Sequence, residues 1–131
     1  MNDKEKHITY WISTAVDDLE VVTILFQSKK YLQALFFMHL VLEKLLKAHW
    51  IKNNDSNVPP KTHHLTLLYK QSGISLSDDE TDFLQTMSTY QIEGRYPDYI
   101  SLLHKTLNKE KAESIITEAK QLATCLQKML P

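Results

Sequence analysis

A stretch that is apolar on nearly every side constrains the fold most strongly, and it lies in the first half of the segment from Tyr31 to about Lys52. Its apolar residues, interrupted by His39, are Leu35, Phe36, Phe37, Met38, Leu40, Val41 and Leu42. A helix of this kind must be covered on most of its surface, either by its own bundle or by a second subunit. Because the stretch is too short to span a bilayer, it predicts a core helix and no membrane association.

Two further long helices are predicted by apolar residues that recur three or four positions apart. One runs from about Lys4 to Ser28, and the other from about Asn108 to Met129. A shorter apolar pattern covers residues 63–71. These segments have the lengths and spacing of amphipathic helices that share one core.

A capping box is indicated where Ser77 precedes Glu80 by three residues, and it opens a helix that we expect to end near Gly94. Pro97 is expected to stop or redirect the backbone just afterwards. Only two Gly and four Pro are present, which is too little turn chemistry for a many-stranded sheet. We therefore predict an all-α fold for residues 1–131 as a single domain, an antiparallel up-and-down bundle of four main helices plus one short helix.

Charge and cysteine content narrow the classes of function. The formal net charge is −1, so any nucleic-acid site must come from a local cluster of basic residues. The lone Cys125 cannot form an internal disulfide, and the amino terminus lacks the apolar segment of a signal peptide, so we expect a cytoplasmic setting. Adjacent His63 and His64 would point about 100° apart on a helix, so no metal site is predicted, nor is any cofactor.

Ionic residues in the second helix admit two interpretations each. Glu43 shares a face with His39 within the apolar stripe, where it either lines a polar cleft or is paired by His39 or a basic residue and fixes packing. Lys44 and Lys47 either meet a phosphate or form a solvated stripe whose stems cover apolar surface.

The segment from Glu93 to Tyr99 is the most unusual in the chain, since it joins a cation, a carboxylate and two aromatic rings where a helix breaks. Arg95 could bind phosphate through its planar fork, and the rings of Tyr96 and Tyr99 could stack on a base. Alternatively, Arg95 pairs with Asp98 or a buried glutamate, and the tyrosines pack. His104, downstream, is a candidate general acid or base because an unperturbed histidine titrates near neutrality.

Taken in order, several motifs resemble the HEPN domain family over nearly the whole chain. They are Ala34-Leu-Phe36-x-x-His39-x-x-x-Glu43-Lys44-x-Leu46-Lys47-Ala48, then Thr62-His63-x-Leu65, then Arg95-Tyr96-Pro97-Asp98. The resemblance implies a helical bundle that forms a homodimer. It also implies a minimal nucleotidyltransferase as companion, often within a toxin–antitoxin pair, and here we expect that enzyme to be a separate polypeptide.

Many members of that family are metal-independent ribonucleases in which a His follows an Arg after four to six residues. Here eight residues separate Arg95 from His104, and Ile100, Ser101 and Leu102 stand at the family's histidine positions. Arg95 therefore carries over as the functional arginine and His104 only as a substitute histidine. Tyr96, Asp98, Glu43, Lys44 and Lys47 complete the set predicted to contact nucleotide or RNA.

Three functions follow from this pattern. The first is a dimeric nucleotide- or RNA-binding module that works with the separate nucleotidyltransferase. The second is an endoribonuclease toxin that uses Arg95 and His104, and the third is a helical interaction scaffold. We rank them in that order, because the displaced histidine argues for binding over cleavage.

Overall fold

The computed structural model describes residues 1–131 as six α-helices without a strand. They are α1 (Asp3–Gln27), α2 (Tyr31–Asn53), α3 (Leu65–Gln71), α4 (Asp78–Ser88), α5 (Pro97–Thr106) and α6 (Lys109–Lys128). The all-helical prediction is confirmed. None of the six is both long and apolar enough to cross a membrane.

Helix α2 forms the centre of the bundle, and 14 of its 23 residues are buried. Helices α1, α3, α4 and α6 all pack against it. The chain's own helices therefore cover most of the apolar surface that the sequence places on α2, while Phe36, Phe37 and Leu40 stay partly exposed. Amphipathic α6 contributes one stripe to the same core, made of Ala112, Ile116, Ala119, Leu122, Ala123 and Leu126.

Helices α1 and α2 run antiparallel, because only residues 28–30 join them. The Lys4 ammonium near the start of α1 donates to the Ile51 carbonyl near the end of α2, at 2.6 Å. At the same end of the bundle, His49 Nε2 lies 2.7 Å from the Leu126 carbonyl of α6. These bonds satisfy carbonyl groups in the last turns of two helices, where the helix itself supplies no donor.

The capping box that opens α4 is present, with the Ser77 hydroxyl accepting from the Glu80 amide at 3.2 Å and the Glu80 carboxylate accepting from the Ser77 amide at 2.9 Å. The helix ends at Ser88, earlier than the predicted end near Gly94. Tyr90 nevertheless stays in the core, 5% exposed, because a turn continues the apolar side of the helix.

Helix α5 is the one helix that the sequence analysis missed. Pro97, expected to stop or redirect the backbone, occupies the first position of α5. The missing amide of a proline carries no penalty there, since the first amides of a helix have no partner within it. Asp98 follows in the first turn, where the positive end of the helix dipole stabilises its negative charge.

Candidate functional site

The connection between α4 and α5, residues 89–96, positions Arg95. Gly94 adopts a φ of 76°, a left-handed conformation that favours glycine, and the Arg95 amide donates to the Ile92 carbonyl at 3.2 Å. The Gln91 side-chain oxygen accepts from the Glu93 amide at 2.7 Å. This hydrogen-bonded turn brings Arg95 next to the start of α5.

The Arg95 side chain is exposed and makes no ion pair. Its Nε donates to the Gln91 carbonyl at 3.3 Å, and its guanidinium carbon lies 4.8 Å from the centre of the Tyr99 ring. The suggested pairing of Arg95 with Asp98 or a buried glutamate does not occur. The two terminal nitrogens donate to no protein atom, which leaves the planar fork available to an anion.

Arg95 and His104 line the same shallow depression on the surface, which we call the Arg95 depression. Its lining residues are Arg95, Pro97, Ile100, Ser101, His104 and Lys105. On α5, Ile100, Ser101 and His104 lie three, four and seven residues after Pro97, so they share one helical face with it. The helix therefore places His104 on the same depression as Arg95 in spite of the eight-residue gap.

The Arg95 depression is suited to an anion, because it contains two permanent cations and a titratable histidine and no carboxylate. A phosphate there could accept from the Arg95 fork and from the Lys105 ammonium. Tyr96 precedes Pro97 and is 84% exposed, so its ring is free to stack on an unpaired base. The predicted Asp98 is exposed on the first turn of α5 and is not among the lining residues.

Glu43 stands at the centre of a second polar group, which extends from the bundle core to the half-exposed ring of His63. Its side chain is 4% exposed and accepts from the Lys47 ammonium at 2.9 Å, while its other oxygen lies 2.9 Å from His63 Nδ1. The Lys47 ammonium also sits 5.2 Å from the centre of the Trp11 ring, within the range of a cation–π contact. The structure thus supports the interpretation that Glu43 is paired by basic residues and fixes packing.

Lys44 points to a different neighbour, Asp18 of α1, with 2.6 Å between the ammonium and the carboxylate. Both side chains are largely covered, at 23% and 14% exposure. The solvated-stripe interpretation describes neither lysine, since Lys44 pairs across two helices and Lys47 is buried. A ligand at either lysine would have to compete with an existing ion pair, and no hydrogen bond or ion pair joins them to the Arg95 depression.

His39 is fully buried, and burial lowers its pKa to about 4 although the nearby Glu43 carboxylate opposes the shift. The distance from His39 Nδ1 to Glu43 is 3.8 Å, too long for a hydrogen bond, and neither ring nitrogen has a partner. Burial also lowers the pKa of His49, against the effect of its bond to Leu126. In the connection between α4 and α5, burial raises the pKa of Tyr90, and Tyr99 adds to that shift.

Of the residues predicted to act at a site, Arg95 and His104 line one depression, and Tyr96 lies next to Arg95 in the chain. It places Glu43 and Lys47 in a separate buried group. Lys105 and Ser101 were missed by the sequence analysis. They could have been found by taking Pro97 as the first residue of a helix and counting the helical period from it.

A comparison with family models found one match, the model described as "HEPN domain", over residues 8–129. No curated protein and no solved structure matched the chain. The matched range contains all six helices apart from the first turns of α1, and with them both the Arg95 depression and the buried Glu43 group.

Proposed function

The chain belongs to the HEPN domain family, and on that premise we propose that it binds RNA or a nucleotide through the Arg95 depression. The observation that carries the proposal is the unpaired guanidinium of Arg95, which shares a carboxylate-free depression with His104 and Lys105. A phosphate would accept hydrogen bonds from the two basic side chains, and the exposed Tyr96 ring would stack on a neighbouring base.

The net charge of −1 is compatible with this function because the binding charge is local. Tight binding would then require either a nucleotide small enough to be held by one depression or two depressions acting on one RNA. We propose that two copies of the chain act together, as the family resemblance implies, and that they work with a separate nucleotidyltransferase. Helix α5 has one buried residue, Leu103, and exposes Leu102 at 58%, which leaves an apolar contact beside the depression for a second copy.

Ligand-dependent thermal stability tests the proposal. Inorganic phosphate, a mononucleotide and a short single-stranded RNA would be added separately to the purified protein. At a hundredfold excess over the dissociation constant, a specific ligand stabilises the folded state by about 3 kcal/mol. We expect Arg95→Ala to lose this stabilisation while keeping the melting temperature of the free protein. An absence of stabilisation by all three ligands would contradict the proposal.

Dimerisation is measured separately, as the molar mass of the purified protein in a light-scattering experiment. We expect the mass of two chains for the wild type and a monomer for Leu102→Glu, since a charge in an apolar contact opposes association. A wild-type monomer at high concentration would remove the dimer from the proposal. It would leave the single-depression binding site in place.

A metal-independent ribonuclease is the second candidate, because His104 lines the depression together with Arg95. Arg95 would stabilise the negative charge that develops on the phosphate, and His104 would exchange a proton with the 2′-hydroxyl or the leaving oxygen. RNA cleavage by wild type, Arg95→Ala and His104→Ala tests this function. Activity that survives both substitutions would come from a contaminant or another site and would exclude this mechanism.

A further inference from the structure

We propose that Tyr99 is a positioning residue that fixes the direction of the Arg95 guanidinium and so sets the affinity of the Arg95 depression for phosphate. The inference rests on the proposed function for its ligand. Tyr99 is not itself among the residues that line the depression, so it would act through Arg95.

The first observation is the stacking geometry. The guanidinium carbon of Arg95 lies 4.8 Å from the centre of the Tyr99 ring. Attraction between a cation and the negative face of an aromatic ring favours this placement, and a planar guanidinium also stacks well on a ring. The ring is half-buried and packs against the core, so it is a rigid support beneath a side chain that is otherwise exposed.

The second observation is that the Tyr99 ring is fastened at its far edge. Its hydroxyl donates to the Thr89 carbonyl at 2.8 Å. Thr89 is the C-terminal cap of α4 and Tyr99 lies in the first turn of α5, so this bond ties together the two ends of the connection that carries Arg95. It also satisfies a carbonyl at the end of α4 that has no partner within the helix.

Together these contacts hold Arg95 from two directions. Tyr99 supports one face of the guanidinium, and the Gln91 carbonyl accepts from Nε. The terminal nitrogens remain free, so this orientation of Arg95 leaves available the donors that a phosphate needs. An exposed arginine normally loses rotamer freedom when it binds, and a side chain already held in its binding pose loses less.

A double-mutant cycle between Tyr99 and Arg95 tests the inference. Binding of a short, fluorescently labelled single-stranded RNA is measured for wild type, Tyr99→Leu, Arg95→Ala and the double variant. We expect Tyr99→Leu to bind about two- to fivefold more weakly than wild type, the range given by an exposed cation–π contact. In the Arg95→Ala background the same substitution should have no further effect.

Two other variants separate the ring from the hydroxyl. Tyr99→Phe keeps the stacking face and loses the bond to Thr89, so its affinity should fall between those of wild type and Tyr99→Leu. Tyr10→Leu is the matched control, since Tyr10 is a 60% exposed tyrosine on α1 and its replacement should leave binding unchanged. If Tyr99→Leu does not fold, Tyr99→Met removes the ring with an unbranched side chain and is judged by the same criteria.

The NMR signal of the Arg95 Nε–H group provides a readout that needs no RNA. The ring current of Tyr99 should shift this signal in wild type and Tyr99→Phe, and the shift should disappear in Tyr99→Leu. If wild type binds no RNA but the signal behaves as expected, the proposed function fails and the positioning remains. If the signal does not move, or if Tyr99→Leu weakens binding equally with and without Arg95, the inference is overturned.

Discussion

Acidification is expected to destabilise the protein through His39, and His39→Leu should remove that effect. The imidazole is fully buried and both its nitrogens lack a hydrogen-bond partner, so the folded protein holds it neutral. Its pKa is lowered from 6.5 to about 4, chiefly by burial. The unfolded chain therefore binds a proton more readily than the folded protein does between those two values.

The sign and size of the effect follow from this difference. The contribution of His39 to stability is complete above the unfolded pKa of 6.5, and it is lost as the pH falls towards about 4. For one group with these two pKa values, a change from about pH 7 to about pH 5 lowers the free energy of unfolding by about 2 kcal/mol. At about pH 7, His39→Leu should be neutral or stabilising, because it removes two buried polar atoms that have no partner.

Urea unfolding at several pH values measures the difference directly. The loss between the two pH values should be about 2 kcal/mol smaller in His39→Leu than in wild type. His49, whose pKa is also lowered by burial, is present in both proteins, so its contribution cancels. The control His7→Leu removes an exposed histidine and should keep the wild-type profile. An unchanged pH profile in His39→Leu, or severe destabilisation at neutral pH, would refute the reasoning.

Two further predictions concern stability. Glu43→Gln should lower the free energy of unfolding by about 3 kcal/mol, because it leaves the buried Lys47 ammonium without a counter-charge. The control Glu118→Gln replaces an exposed glutamate and should change the free energy of unfolding little. Equal effects of the two substitutions in a denaturant titration would show that the Glu43–Lys47 pair does not contribute to stability. Gly94→Ala should cost about 1 kcal/mol through its φ of 76° alone, since the added methyl group meets no atom within 4 Å. Gly73→Ala should cost more, because its Cβ would lie 2.9 Å from Asn53 Cβ, and an equal or reversed order of the two melting temperatures would contradict this explanation.

Much of the fold could be predicted from local patterns. The apolar periodicity placed α1, α2 and α6 to within a few residues, and the Ser77–Glu80 box marked the start of α4 correctly. Helix α5 was missed because Pro97 carries two opposite meanings, as a stop within a helix and as a favourable first residue. Its first turn has no side-chain cap, so little else in the sequence distinguishes these alternatives.

The polar contacts were harder to predict, because they join residues that are distant in sequence. His63 meets Glu43 across 20 residues, and Lys44 meets Asp18 across two helices. Spacing within one helix indicates which residues share a face, yet it does not show which neighbouring helix faces them. The same limit applies to Arg95 and His104, whose placement on one depression depends on where α5 begins.

The salt dependence of RNA binding in wild type and Arg95→Ala tests the central claim most directly. If Arg95 contacts a phosphate, the affinity of wild type falls as salt rises, and a plot of log affinity against log salt concentration loses about 0.7 to 1 of its slope in Arg95→Ala. Equal affinity and equal slope in the two proteins would show that no phosphate is bound at Arg95.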